Sequence, residues 1–162
     1  LTNPVPLKKP PEYSIPTMQH IISVICGMLL LICAIQDLRF RMINVIVPLI
    51  AMVIIVAVKL LCHEETIAGI ALSISPGIVM LCISVIRKGV LGFADGIIVC
   101  FVGVCEGFYA NAVIVLFSFV IAWIAILYKL IIKRYSAGRL AIPFIPCVIP
   151  AWLCVCAGGW FL

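Results

Sequence analysis

The chain has 162 residues, 66% of them hydrophobic and 10% charged, with a mean hydropathy of +1.38. Soluble domains run at about 45–50% apolar and about 25% charged, so this composition excludes a soluble globular protein and places the chain in a lipid bilayer. The formal net charge is +5, but the eleven Lys and Arg residues are scattered in ones and twos between apolar runs, which excludes the basic stripe of a nucleic-acid binder.

Residues 1–18 carry five prolines and two lysines without helical periodicity and read as a flexible tail outside the fold. A helical span needs about 20 mostly apolar residues. Apolar runs over about 19–37, 44–62, 67–86, 90–106, 109–132 and 141–162 therefore predict six transmembrane helices in one domain, 19–162. The first run is too long for a cleaved signal sequence and reads as a retained span. Pro76-Gly77 predicts a kink in the third helix, and Pro143, Pro146 and Pro150 predict a kinked or partly unwound start to the sixth. Trp160 reads as an interfacial anchor.

Lys and Arg concentrate in cytoplasmic loops. With six spans, Arg39, Arg41, Arg87, Lys88, Lys129, Lys133, Arg134 and Arg139 fall on one face, against Lys59 and the tail's Lys8 and Lys9 on the other. The expected fold is thus an all-α, polytopic membrane protein with odd-numbered loops in the cytoplasm and both termini outside. The nine cysteines contain no C-x-x-C pair, and most sit in apolar runs (Cys26, Cys33, Cys82, Cys100, Cys147, Cys154), where thiols act as small buried hydrophobes rather than as a zinc or disulfide framework.

The acids are sorted by the same topology. Glu12 belongs to the tail, and Glu64, Glu65 and Glu106 fall in outer loops. Asp37, closing the first span, and Asp95, about one turn inside the fourth, share the cytoplasmic side at similar depth. Each alone reads equally well as an interfacial acid satisfied locally. Together they suggest function, because an intramembrane acid is costly and two carboxyls sharing a proton can activate water and protonate a carbonyl. His20 and His63 map to the outer face, and Ser73, Ser75, Ser84 and Ser118 lack a Lys or His neighbour in the sequence, which disfavours a serine nucleophile.

Three stretches resemble the type IV prepilin peptidases, intramembrane aspartic proteases. Asp37-Leu38-Arg39-Phe40-Arg41-Met42-Ile43-Asn44 is similar to the family's first-aspartate segment, Gly92-Phe93-Ala94-Asp95 to its Gly-x-Gly-Asp motif, and Ile142-Pro143-Phe144-Ile145-Pro146 to a Pro-Phe-x-Pro segment after the last cytoplasmic loop. The resemblance covers roughly residues 19–160. Ala94 stands where the motif has its second glycine, Ile97 where a lysine often follows, and no proline flanks Asn44. The resemblance implies catalytic Asp37 and Asp95, with Gly92, Ala94, Gly96, Pro143, Phe144 and Pro146 shaping the site or binding substrate. It implies an endopeptidase of the prokaryotic cytoplasmic membrane that removes the basic leader from prepilins or pilin-like proteins. The cysteine-rich cytoplasmic domain of larger members has no counterpart here, so no zinc, cofactor or N-methyltransferase activity is expected.

Other readings are a non-catalytic pilus or secretion assembly paralogue, and a small proton- or cation-coupled transporter using the paired aspartates. The helix dipole, unfavourable to an anion at the end of the first helix and favourable at the start of the fourth, predicts that Asp37 carries the shared proton. Gly92, Gly96, Gly103 and Gly107 lie near one face of the fourth helix. They suit either close packing on a neighbour or close approach of substrate or the Asp37 helix.

Overall fold

The computed structural model describes residues 15–40, 44–63, 65–86, 92–132 and 144–158. Among these the chain forms six α-helices and no strand: α1 (Ile15–Phe40), α2 (Ile46–Leu61), α3 (Ile67–Ile86), α4 (Phe93–Glu106), α5 (Phe108–Ile132) and α6 (Ile145–Ala157). Within α1, α3 and α5, the segments Met18–Arg39, Ile67–Ile86 and Phe108–Lys129 are long and apolar enough to cross a membrane, whereas α2 and α6 are shorter apolar helices. Much of the apolar surface faces outward: Ile21, Val24, Met28, Val53, Leu116 and Trp123 are each more than half exposed. A soluble monomer does not carry a patch of that extent, so these faces suit lipid.

Local chemistry sets the helix ends. Asn44 Oδ1 accepts the Ile46 N–H at 3.2 Å and opens α2, while the Asn44 N–H reaches back to Gln36 Oε1 of α1 at 3.5 Å. Thr66 Oγ1 accepts the Gly69 N–H at 3.2 Å, an N-cap for α3. Gly107 has φ +84°, which a side chain disfavours, and so separates α4 from α5 with a single residue.

Three boundaries differ from expectation. α1 begins at Ile15, inside the expected tail, because Pro16 falls in the first turn, where its missing N–H costs nothing. It also runs on to Phe40, leaving Asp37 in its last turn rather than at its end. Glu106, expected in a loop, is the last residue of α4 and only 6% exposed, since the break comes one residue later.

α4 is the centre of the bundle. It packs against α1, α2, α3 and α5, and every residue from Gly96 to Glu106 is buried. Its tightest partner is α3. A Cβ at Gly103 would fall on the Ser73 carbonyl oxygen, and one at Gly96 would meet Leu81 at 2.7 Å. From the other side, a Cβ at Gly77 would fall on the Cys100 thiol. The glycines of α4 and Gly77, next to Pro76, thus let two backbones approach where side chains would hold them apart. The rest of the core draws on α1 (Cys26, Leu30, Cys33), α2 (Ile55), α5 (Ala110, Ile114) and α6 (Val148, Ala151, Val155). Cys82 and Cys154 are exposed, contrary to the expectation of buried thiols, because each lies on the outward side of its helix.

Candidate functional site

α1 and α4 run antiparallel, so the last turn of α1 lies beside the first turn of α4. This puts Asp37 and Asp95, 58 positions apart in the sequence, at the same end of the bundle, where the charge of Asp37 acts on Asp95. Both are half-buried. Their surroundings differ. Asp95 Oδ2 accepts the N–H of Gly92, the N-cap of α4, at 3.2 Å, and the Asp95 N–H donates to the Gly92 carbonyl at 3.1 Å. The first of these bonds is the N3 half of a capping box, glycine having no side chain to supply the other half, and the helix dipole favours negative charge there. Asp37 lies at the opposite pole of its own helix, and its Oδ2 is buried without a hydrogen-bond partner. One carboxyl is therefore held by backbone and the other has a free lone pair beside it, an arrangement suited to a pair that shares one proton.

The flanking residues divide into those that meet the pair and those that do not. A Cβ at Gly92 would stand 2.8 Å from Asp95 Oδ2, so only glycine leaves that carboxyl where it is. Ala94 is half-buried in the first turn of α4. The space beside Gly96 is filled by Leu81 of α3. Phe144, 8% exposed, stacks at a tilt on Phe119 of α5, ring centres 5.2 Å apart, so its ring is engaged in the α5–α6 core. Pro146 lies in the first turn of α6, where no N–H is needed, and the chain is helical from Ile145 to Ala157 through Pro150. The unwinding expected there is not found within that segment, and Pro143 lies outside the described residues. Arg41, Arg87, Lys88 and residues 133–139 also lie outside them.

Ser73, Ser75 and Ser118 bond to carbonyls of their own helices, at 2.9 Å to Gly69, 2.7 Å to Leu72 and 2.6 Å to Ile114 respectively, and so act as helix-packing residues. His20 and His63 are exposed, beside the N-terminus of α1 and the C-terminus of α2, at the end of the bundle away from the aspartates. Among the described residues no three His, Cys, Asp or Glu side chains converge to hold a metal.

A second polar cluster escaped the sequence reading. At the end of the bundle opposite the aspartates, Glu106 Oε1 accepts Ser23 Oγ of α1 at 2.9 Å and Trp152 Nε1 of α6 at 2.7 Å. Lys59 of α2, 2% exposed, pairs with Glu65 Oε1 at 3.1 Å and donates to the Cys105 carbonyl at 3.4 Å. Gln19 of α1 donates to the same carbonyl at 2.9 Å. The signal was present in the sequence: a lysine two residues inside an otherwise uncharged apolar helix, and a glutamate at the equivalent end of α4.

No protein-family model, curated protein or solved structure matches this chain. The functional reading therefore rests on the residues themselves.

Proposed function

We propose that this chain is an intramembrane aspartic endopeptidase of the prepilin peptidase kind, cleaving a basic leader from pilin-like substrates at the cytoplasmic face of a prokaryotic membrane. The observation that carries the reading is the placement of Asp37 and Asp95 on the neighbouring helices α1 and α4, at one end of an apolar bundle. In support, the backbone N–H of Gly92 holds the Asp95 carboxyl in place and Asp37 Oδ2 has no hydrogen-bond partner.

In this scheme ionised Asp95 takes a proton from water as the water oxygen attacks the scissile carbonyl carbon, and protonated Asp37 donates to the carbonyl oxygen. The tetrahedral intermediate then collapses. The proton taken up by Asp95 passes to the leaving amine, and the carbonyl oxygen returns its proton to Asp37. Proposed with this is the six-span topology, odd-numbered connections in the cytoplasm, which sets both aspartates on the side where the leader lies.

The test is co-expression with a prepilin carrying a basic leader, followed by gel mobility. Asp37→Asn and Asp95→Asn should each abolish leader removal while the protein accumulates and melts as the parent does, since Asn keeps the shape but cannot cycle a proton. Parental cleavage by either variant would remove the dyad mechanism.

A further inference from the structure

Glu106, Lys59 and Trp152 take no part in that chemistry, yet they form the most polar buried site among the described residues. Its position follows from the break at Gly107. A helix end leaves carbonyls without an intrahelical partner, and here the Cys105 carbonyl is taken up by Gln19 Nε2 and Lys59 Nζ. The ammonium of Lys59 also complements the negative pole of α4. Glu106 then draws one donor from α1 and one from α6. The last two residues of α4 are thus held from three helices at once.

Against α3 the glycine contacts and the Cys100 thiol, 3.9 Å from the Ile74 carbonyl, already set the offset of α4. Towards α1, by contrast, the buried residues of the core are the apolar Ile22, Cys26, Leu30, Cys33 and Ala34, which offer little to fix a register. A slip of one residue moves a helix by about 1.5 Å and turns it by about 100°, which would carry Asp95 away from Asp37. Directional buried polar contacts resist that in a way that apolar packing does not, and setting register is the best-attested use of such groups. The two ends are also linked geometrically. Ser23 and Asp37 lie on the same helix roughly 21 Å apart, and Glu106 and Asp95 roughly 16 Å apart along α4, so each α1–α4 contact at one end constrains the contact at the other.

We propose that Glu106, Lys59 and Trp152 are positioning residues: the network they form is a register lock that holds α4 against α1 at the offset where Asp37 and Asp95 meet. The inference rests on treating that pair as the working site. Its test does not use cleavage, so failure of the peptidase reading leaves it separately decidable.

The experiment converts the aspartate pair into a reporter. Full-length Asp37→His/Asp95→His protein is titrated with Ni2+ in lipid or detergent, and affinity is read from the metal-dependent rise in melting temperature over the single-histidine variants. The paired histidines should bind Ni2+. Adding Glu106→Leu, or the milder Trp152→Phe with Ser23→Ala, should weaken Ni2+ binding by about tenfold or more. Glu106→Gln, which keeps an acceptor for Ser23 and Trp152, should largely preserve it. If the lock variants lower the melting temperature but leave Ni2+ affinity unchanged, the network is only a stabilising one and the proposal is wrong. Failure of the double-histidine protein itself to bind Ni2+ would also overturn it, by removing the pairing it is meant to set.

Discussion

Gly92 supplies the sharpest test of how Asp95 is held. In Gly92→Ala the new Cβ would lie 2.8 Å from Asp95 Oδ2 and 3.3 Å from its Cγ, several tenths of an ångström inside ordinary contact. The backbone need not move, because φ at Gly92 is −71° and alanine adopts that freely. The carboxyl instead turns about its side-chain bonds, and in turning it gives up the 3.2 Å hydrogen bond from the Gly92 N–H. A hydrogen bond to a charged group contributes about 1.5–3 kcal/mol. At about 1.4 kcal/mol per factor of ten, Gly92→Ala should slow leader cleavage by about ten- to a hundredfold. Stability should fall by about 1–3 kcal/mol, because the same hydrogen bond is lost and alanine is a poorer N-cap than glycine. The assay is single-turnover cleavage of a prepilin reporter, with the melting temperature measured in parallel. Parental cleavage by Gly92→Ala would show that the Gly92 contact does not hold the working carboxyl. Loss of activity together with a collapse in melting temperature would show that the residue supports the fold instead.

Gly103→Ala should destabilise the bundle by about 1–3 kcal/mol, read by thermal unfolding, because its Cβ falls on the Ser73 carbonyl and within 2.5 Å of Asn111 Nδ2. Lys59→Met strips the buried partner from Glu65 and should cost about 3 kcal/mol, the low end for a broken buried pair because Glu65 is 29% exposed. An unchanged melting temperature would show that the pair contributes nothing. Cleavage should follow a bell-shaped pH profile, as two coupled carboxyls must hold one proton between them; a rate that rises steadily across the range would contradict a shared proton. Chelators should leave the rate unchanged, and inhibition reversed by added metal would point to a site not described above.

The helix ends were largely legible because they are written in local chemistry. Asn44, Thr66 and Gly107 mark the starts and stops of α2, α3 and α4 by their own hydrogen bonds or backbone angle, and the breaks anticipated there fall within a few residues of those observed. That Asp37 and Asp95 lie at one end of the bundle was also accessible, since helix alternation puts the last turn of α1 and the first turn of α4 at the same end. Burial was not. In a chain this apolar, a lipid-facing isoleucine such as Ile54 and a core isoleucine such as Ile98 look alike in sequence, so hydrophobic periodicity carried little information about which face packs on which neighbour. For that reason the α4 glycines could not be assigned to α3 rather than α1, and Glu106 was read as a loop acid. The deciding fact was a three-dimensional one, the convergence of Ser23, Lys59 and Trp152 on the end of α4.

The helices also differ in length in a regular way. α1 and α5 have 26 and 25 residues, while α2, α4 and α6 have 16, 14 and 13. At about 1.5 Å per residue α4 reaches roughly 21 Å, against roughly 30 Å for a hydrocarbon layer. A rigid element that short cannot reach both surfaces of an undistorted bilayer. Enclosed by α1, α2, α3 and α5, α4 meets its neighbours rather than lipid, so its ends sit recessed within the bundle. Asp95 occupies one of those ends, and under the proposed function water and an extended peptide would have to descend along the surrounding helices to reach it. The depth of that descent is then set by the lengths of the neighbouring helices rather than by α4 itself.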